Sequence, residues 1–227
     1  VDCEALPIPR RGELSPELIK SALGVADESL IEDPACDLPP RPPLLCAGCP
    51  HRPVFYALNK MKALVTGDIG CYTLGAIAPL SAIDTCIDMG ASIPMAHGMA
   101  LAQNPDITRP IIAVIGDSTF AHSGITGLVN TIYNQGSGVV CILDNRITAM
   151  TGHQGNPVNG LTLGGQTTTE LDLVALCEAL RVPRVRVVNP NNLDDVIAAL
   201  DEESSAEELS VIIFRAPCAL LSKQFPP

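Results

Sequence analysis

The sequence contains no tryptophan, and aromatic residues make up only 3% of it. Base-stacking surfaces and sugar-binding platforms rely on aromatic rings, so this scarcity argues against both. Positive charge is also scarce, since 14 Lys and Arg stand against 25 Asp and Glu, for a net charge of −11. Nucleic acids and anionic membranes attract basic surfaces, so neither is an expected partner.

Long apolar runs are missing as well. No stretch approaches the roughly 20 apolar residues of a transmembrane helix, and the sequence opens on no recognisable secretory signal. We therefore expect a cytoplasmic protein. The opening stretch VDCEALPIPRRGELSP has the character of a connecting segment, which favours a piece of a longer polypeptide or a subunit that arose by splitting one.

What is present indicates one sizeable α/β domain. The chain has 227 residues, 47% of them hydrophobic, which is enough for a substantial core. Residues 1–43 are rich in proline and acidic residues and predict a linker or extension with one short helix starting at Ser15-Pro16. In residues 44–227, apolar segments such as RPIIAVIGD and GVVCILDN alternate with helical patterns. This alternation predicts a three-layer domain, a parallel sheet covered by helices on both faces.

Two polar residues follow neighbouring predicted strands, Asp117 after AVIG and Asn145 after CILD. In parallel sheets ligands bind beyond the carboxyl ends of the strands. These two oxygen-bearing side chains, with a backbone carbonyl from the turn after Asn145, suit Mg²⁺. The helix starting near Ser118 would direct free N–H groups at a diphosphate. The alternative is an ordinary strand-to-helix turn in which Asp117 only caps the helix.

Longer segments carry a resemblance: LCAGCPHRPVFYALNK, VTGDIGCYTLGAIAPLSAIDTCIDMGASIPMAHGMA, GDSTFAHSGITGLVNTIYN and LDNRITAMTGHQGNP. They resemble the thiamine-diphosphate half of the indolepyruvate:ferredoxin oxidoreductase alpha subunit, in the 2-oxoacid:ferredoxin oxidoreductase superfamily. The similarity runs through residues 41–160 and implies a PP-type thiamine-diphosphate-binding domain. The generic G-D-G…N-N signature is imperfect, because Ser118 replaces its last glycine and Asp144 its first asparagine.

The resemblance also implies site residues, although no catalytic side chain. It assigns Mg²⁺ to the side chains of Asp117 and Asn145 and to the carbonyl of Ile147. The diphosphate, the thiazolium ring and the aminopyrimidine are implied to lie against a wider set: Thr73, Leu74, Met89, Gly90, Gly116, Asp117, Ser118, Thr119, Asn145, Ile147, Thr148 and Ala149. Within this set, Leu74 would support the bent cofactor.

The Cys46-x-x-Cys49 pair alone could hold zinc, exchange disulfides or ligate an iron–sulfur cluster. Without a recognised secretory signal, the nine cysteines indicate reduced thiols or metal ligands. The resemblance implies a [4Fe–4S] cluster on Cys46, Cys49, Cys71 and Cys218. Zinc on the same thiolates is one alternative, and buried hydrophobic roles for Cys71 and Cys218 are another. His51, next to the pair, could donate to a cluster sulfur or a substrate carboxylate.

The implied activity is oxidative decarboxylation of a 2-oxo acid, such as an aryl pyruvate, to an acyl-CoA. Coenzyme A would be the co-substrate, and single electrons would pass through the cluster to ferredoxin. The glutamate that activates thiamine is expected from a separate pyrimidine-binding domain or subunit, which implies a hetero-oligomer. Two alternatives stay open: a non-redox thiamine-dependent decarboxylase half with structural or zinc-binding cysteines, and a non-catalytic assembly subunit.

Overall fold

The computed structural model describes residue 8, residues 11–25, residue 39, residues 41–102 and residues 108–221. The chain divides into two compact units, Val1–Pro42 and Pro43–Pro227. In the first unit, helix α1 (Pro16–Ala22) begins where Ser15-Pro16 predicts. The Ser15 hydroxyl accepts a 3.3 Å hydrogen bond from the Leu18 N–H and so caps the helix. Most of the remaining extension lies outside the described residues.

The second unit is built on a six-stranded sheet in which every pairing is parallel. Its strand order is β2-β1-β3-β4-β6-β5. The strands are β1 (Leu64–Gly67), β2 (Thr85–Cys86), β3 (Ile111–Gly116), β4 (Gly138–Asp144), β5 (Arg184–Val188) and β6 (Leu209–Arg215). The prediction of an α/β domain with a parallel sheet is therefore confirmed.

Helices cover both faces of this sheet. They are α2 (His51–Lys60), α3 (Ser92–Leu101), α4 (Asp117–Thr119), α5 (Ile125–Tyr133), α6 (Leu173–Ala179) and α7 (Leu193–Ser204). A π-helical turn, Phe120–Gly124, joins α4 to α5, so one helical run extends from Asp117 to Tyr133. A 3-10 helix, Cys71–Ala76, follows β1. Among the described residues, no helix is long and apolar enough to cross a membrane.

The core lies in two layers because successive strand residues point to opposite faces of the sheet. On β3, Ile112 and Val114 pack in a cluster with residues of α2 and α7. Their neighbours Ala113 and Ile115 pack on the other face with residues of α3, α5 and α6. Each fully buried aliphatic side chain stabilises the fold by about 1.5–3 kcal/mol. A strand buried on both faces must be apolar throughout, which explains why the sequence of β3 is a continuous hydrophobic run.

A buried carboxylate fastens the edge of the sheet to α7. Glu203 is 4% exposed and accepts a 2.6 Å hydrogen bond from Arg184 Nε and a 2.7 Å bond from the Ser210 hydroxyl. The hydrogen bond from Arg184 holds the pKa of Glu203 below its usual range. Since Arg184 lies on β5 and Ser210 on β6, this one side chain ties two strands to the helix.

We predict that Glu203→Gln lowers the free energy of unfolding by about 1–3 kcal/mol, because it weakens buried charge-assisted hydrogen bonds. Urea denaturation measures this, with Glu202→Gln as the control. Glu202 also pairs with Arg184 and Arg186 but its side chain is 57% exposed, so we expect a change below about 1 kcal/mol.

Folding lowers the pKa of Glu203, so the contribution of Glu203 to the free energy of unfolding depends on pH. This contribution is complete above the unfolded pKa of about 4.3 and is lost as the pH falls through the folded pKa. Equal losses in both variants at neutral pH would contradict this account.

Candidate functional site

A cavity opens at the carboxyl edge of the sheet, where β3 and β4 end; because the predicted cofactor residues lie there, we call it the cofactor cavity. Nine of the twelve residues predicted to contact thiamine diphosphate line it. They are Met89, Gly116, Asp117, Ser118, Thr119, Asn145, Ile147, Thr148 and Ala149. The cavity is also lined by residues that sequence reasoning did not assign to the cofactor: His51, Ile69, Gly70, Cys71, Tyr72, Leu143, Met150 and Thr151. Asp117 and Asn145 are therefore brought together as predicted.

Asp117 is 2% exposed and is the first residue of α4, with Gly116 as the N-cap. The alternative in which Asp117 itself caps the helix is therefore wrong. One carboxylate oxygen accepts a 2.6 Å bond from the Ser118 N–H, and the other accepts a 2.8 Å bond from the Arg146 N–H. Burial, with a smaller contribution from nearby Asp144, raises the pKa of Asp117 to about 7.

Asn145 is 7% exposed and follows β4 directly. Its Oδ1 accepts a 3.2 Å hydrogen bond from the Ile147 N–H, and its Nδ2 lies 3.4 Å from His51 Nε2. Burial lowers the pKa of His51 to about 4, so the ring is neutral at physiological pH. Arg146, between Asn145 and Ile147, has φ +66°, a left-handed conformation that turns the chain sharply after β4.

Asp68, immediately after β1, is a buried carboxylate that accepts hydrogen bonds from several segments, and sequence reasoning did not identify it. One carboxylate oxygen accepts a short hydrogen bond from the Tyr72 hydroxyl. The other accepts 3.0 Å bonds from the Gly90 N–H and the Ser92 hydroxyl. Burial raises the pKa of Asp68, and these hydrogen bonds oppose the shift. Asp68 therefore links the 3-10 helix that carries Cys71 to the loop before α3.

The three remaining predicted cofactor residues do not line the cofactor cavity. Thr73 donates its hydroxyl to the Asp68 carbonyl at 2.7 Å and accepts the Gly70 N–H at 2.9 Å, so it braces the 3-10 helix. Leu74 lines the neighbouring cavity described below. Gly90 has φ +91° and donates its N–H to Asp68, which gives it a structural reason to be glycine. Cofactor contacts by these three stay predictions.

A second cavity, which we call the cysteine cavity, adjoins the first. All four predicted cluster ligands line it: Cys46, Cys49, Cys71 and Cys218. Burial raises the pKa of Cys49 to about 11; the backbone N–H of His51 opposes this shift, and the other three thiols add to it. The two cavities share a wall formed by His51, Cys71, Asn145, Ala149 and Met150.

The cysteine cavity brings the thiols together without completing a metal site. All seven cysteines in the described part of the chain are free thiols. Within that same part, no group of three or more His, Cys, Asp or Glu side chains is arranged to hold a metal ion. The four sulfurs thus have the right chemistry for a cluster or for zinc and face one space, but they are not placed as a formed coordination shell.

The cofactor cavity fits a cation more closely. Asp117 is a buried carboxylate with only two N–H donors, and no ion pair reaches it from the described residues. The side chain of Asn156 lies close to Asp117 and lowers its pKa. The buried Nδ2 of Asn156 has no hydrogen-bond partner among the described residues. A buried carboxylate without a counter-ion is costly, and a divalent cation would remove that cost. The helical run starting at Asp117 would add free N–H groups for a diphosphate.

Comparison with known families supports this assignment. Residues 68–214 match the family model described as thiamine pyrophosphate enzyme, C-terminal TPP binding domain. The chain belongs to this family and is a thiamine-diphosphate-binding domain. Its fold and cofactor class therefore agree with the resemblance read from the sequence.

The relatives are more specific. The chain is 42% identical over 192 residues to indolepyruvate oxidoreductase subunit IorA of Archaeoglobus fulgidus, covering 82% of this chain and 30% of that protein. It is 36% identical over 230 residues to the same subunit of Methanothermobacter thermautotrophicus, covering 95% of this chain and 36% of that protein. The chain is thus a homologue of this subunit and spans about a third of its length.

Solved structures share the fold. A 2-oxoglutarate:ferredoxin oxidoreductase from Magnetococcus marinus superposes with a TM-score of 0.66 at 16% identity, covering 78% of this chain and 65% of that one. A benzoylformate decarboxylase from Polynucleobacter necessarius gives 0.52 at 19% identity, covering 88% and 39%. At such identities the likeness concerns the fold alone.

We predict that Gly116→Ala distorts the turn that carries Asp117. A Cβ at Gly116 would lie 2.6 Å from Cε1 of Tyr72, whose hydroxyl is held by Asp68. Overpacking of this kind costs about 1–3 kcal/mol of stability, which urea denaturation measures. Gly98→Ala is the control, because nothing lies within 4 Å of its Cβ in α3 and helical Ala is favoured by about 0.5–1 kcal/mol. If Gly116→Ala were as stable as the wild type, the close approach of Tyr72 would not constrain the turn.

Proposed function

We propose that this chain is the thiamine-diphosphate-binding part of a 2-oxoacid:ferredoxin oxidoreductase that acts on aryl pyruvates such as indolepyruvate. In this proposal Asp117, Asn145 and the carbonyl of Ile147 hold Mg²⁺. The observation that carries it is the buried Asp117 carboxylate, which lines the cavity together with Asn145 and has no counter-ion among the described residues. These oxygen donors, at the carboxyl ends of neighbouring strands, are typical of a site for Mg²⁺ and a diphosphate.

The chain's own residues would bind and orient. Gly116, Ser118 and Thr119 line the cavity at the start of the helical run, where backbone N–H groups can donate to diphosphate oxygens. Thr148 and Ala149 line the same cavity. Bound thiamine diphosphate would supply the electron sink needed to release CO₂ from a 2-oxo acid. Apolar lining residues such as Ile69 and Met150 would limit the access of water to that reaction.

The four cysteines are proposed to hold a [4Fe–4S] cluster. Supporting this, Cys46, Cys49, Cys71 and Cys218 face one cavity that shares a wall with the cofactor cavity. A one-electron carrier in this place would lie beside the cofactor whose oxidation it serves. Zinc on the same thiolates, in a thiamine-dependent decarboxylase that needs no electron acceptor, is the competing proposal.

Substrate and partners follow from the relatives and not from the cavity. The name of the IorA homologues specifies indolepyruvate, and the fold neighbour was solved with 2-oxoglutarate, coenzyme A and succinyl-CoA. By extension we propose coenzyme A as co-substrate and ferredoxin as electron acceptor. A pyrimidine-binding domain or subunit would supply the activating glutamate, which makes a hetero-oligomer the proposed working form.

We expect Asp117→Asn to weaken thiamine diphosphate binding in the presence of Mg²⁺ by at least about 10-fold, because the site loses its one buried anionic ligand. Isothermal titration calorimetry of the chain measures the dissociation constant. Asp201→Asn, an exposed change on α7, is the control and should bind as the wild type does. Unaltered affinity in Asp117→Asn would overturn the proposed metal site, and absence of binding to the wild type would overturn cofactor binding by this chain.

Anaerobically purified chain should contain iron and acid-labile sulfide, at about four of each per chain when fully loaded. Cys49→Ser should remove most of the iron, because it deletes a proposed ligand. Cys177→Ala should retain the iron, since Cys177 lies on α6 and is buried in the other core layer. Zinc in place of iron would favour the decarboxylase alternative. Neither metal, after anaerobic reconstitution with iron and sulfide, would rule out both metal proposals.

A further inference from the structure

His51 lies between the two cavities and contacts elements of both. It is the first residue of α2, two positions after Cys49, and is 3% exposed. Its backbone N–H approaches the Cys49 thiol and lowers the pKa of that group. Its ring lines the cofactor cavity and the cysteine cavity alike. A buried imidazole at such a boundary must satisfy its polar atoms locally.

The hydrogen bonds around Asn145 determine which way its amide points. The Ile147 N–H can donate only to the amide oxygen, which lies 3.2 Å from it. The amide NH₂ group must then be the atom that lies 3.4 Å from His51 Nε2. Since NH₂ is a donor, Nε2 has to be the acceptor, and the ring proton belongs on Nδ1.

We propose that His51 is a positioning residue for the metal site: its Nε2 lone pair holds the amide of Asn145 so that the oxygen remains available to the cation. The inference rests on the proposed function, because it takes Asn145 as a ligand of Mg²⁺. An amide presents either an oxygen or an NH₂ group, and only the oxygen can ligate a cation. Without the acceptor, the buried NH₂ group loses its partner, and rotation of the amide would turn a donor toward the metal.

Replacement of the acceptor tests this directly. His51→Leu removes it, whereas His51→Gln supplies an amide oxygen that can take its place. We expect His51→Leu to weaken metal binding by about 10-fold, as loss of an outer-shell partner does, and His51→Gln to stay within about 3-fold of the wild type. The probe is Mn²⁺ in place of Mg²⁺, titrated by electron paramagnetic resonance in the presence of thiamine diphosphate.

His122→Leu is the matched control, because His122 is exposed in the π-helical turn and lines neither cavity. It should bind Mn²⁺ as the wild type does. Wild-type affinity in His51→Leu would overturn the inference. Equal weakening in His51→Leu and His51→Gln would overturn it too, since the effect would then come from ring packing and not from the acceptor.

A measurement on the wild-type chain avoids dependence on the folding of any variant. Long-range ¹H–¹⁵N NMR of the histidine rings reports the tautomer of His51. The Nδ1–H form supports the inference, and the Nε2–H form overturns it. The tautomer is measured independently of the proposed function. If the wild type failed to bind Mn²⁺ in the presence of thiamine diphosphate, the proposed metal site would be wrong even if His51 were in the Nδ1–H form.

Discussion

The parallel pairing of β3 with β4 is the constraint on which the site depends. Five successive pairs, from Ile112–Val139 to Gly116–Leu143, fix the two strands in register. Asp117 and Asn145 follow the last residues of those strands and are therefore delivered to the same edge. A slip of one residue would turn every buried side chain to the opposite face, so the hydrophobic layers above and below the sheet enforce this register. Apolar packing thus sets the spacing of the two proposed oxygen ligands.

The same pairing extends to the cysteine cavity through β6. Asp144 lies opposite Arg215, and the chain beyond β6 continues along Asn145, whose carbonyl accepts a 3.1 Å hydrogen bond from the Cys218 N–H. Residues far apart in the sequence therefore meet at one turn. The end of β6 therefore places Cys218 beside the Asn145 turn, whereas Cys71 follows β1 and Cys46 and Cys49 precede α2, so the four thiols reach the cysteine cavity from separate segments.

The strands and helices were predictable because their signals are repeated over many residues. Four of the five longer strands are mostly apolar runs with β-branched residues, and β5 (RVRVV) alternates arginine with valine. A single deviation does not erase such a pattern. The two-residue strand β2 and the 3-10 helix Cys71–Ala76 are too short to carry a periodic signal, and sequence reasoning did not predict either. Long-range pairing with β1 defines β2, and no local pattern reports such pairing.

The site, too, contains residues that could be predicted from the sequence and residues that could not. Asp117 and Asn145 were predictable because each directly follows a recognisable strand, so their meeting needs only the rule that parallel strands end together. Asp68 also follows a strand, but its role depends on Tyr72, Gly90 and Ser92, which converge on it from separate segments. His51 was recognised only as a neighbour of the cysteine pair, because its contact with Asn145 spans 94 residues of sequence.

The two buried carboxylates show how structural and ligand-binding acids can be told apart. Asp68 receives the Tyr72 and Ser92 hydroxyls and the Gly90 N–H, so its hydrogen bonds compensate much of its burial. In the part of the chain that the structure describes, Asp117 receives two backbone N–H groups and has the Asn156 side chain nearby, and Asp144 disfavours its charge further. Both have pKa values raised by burial, so the shift alone does not distinguish them. What distinguishes them is the unused oxygen capacity of Asp117 toward the cavity, which costs free energy without a cation and would become favourable when a cation binds.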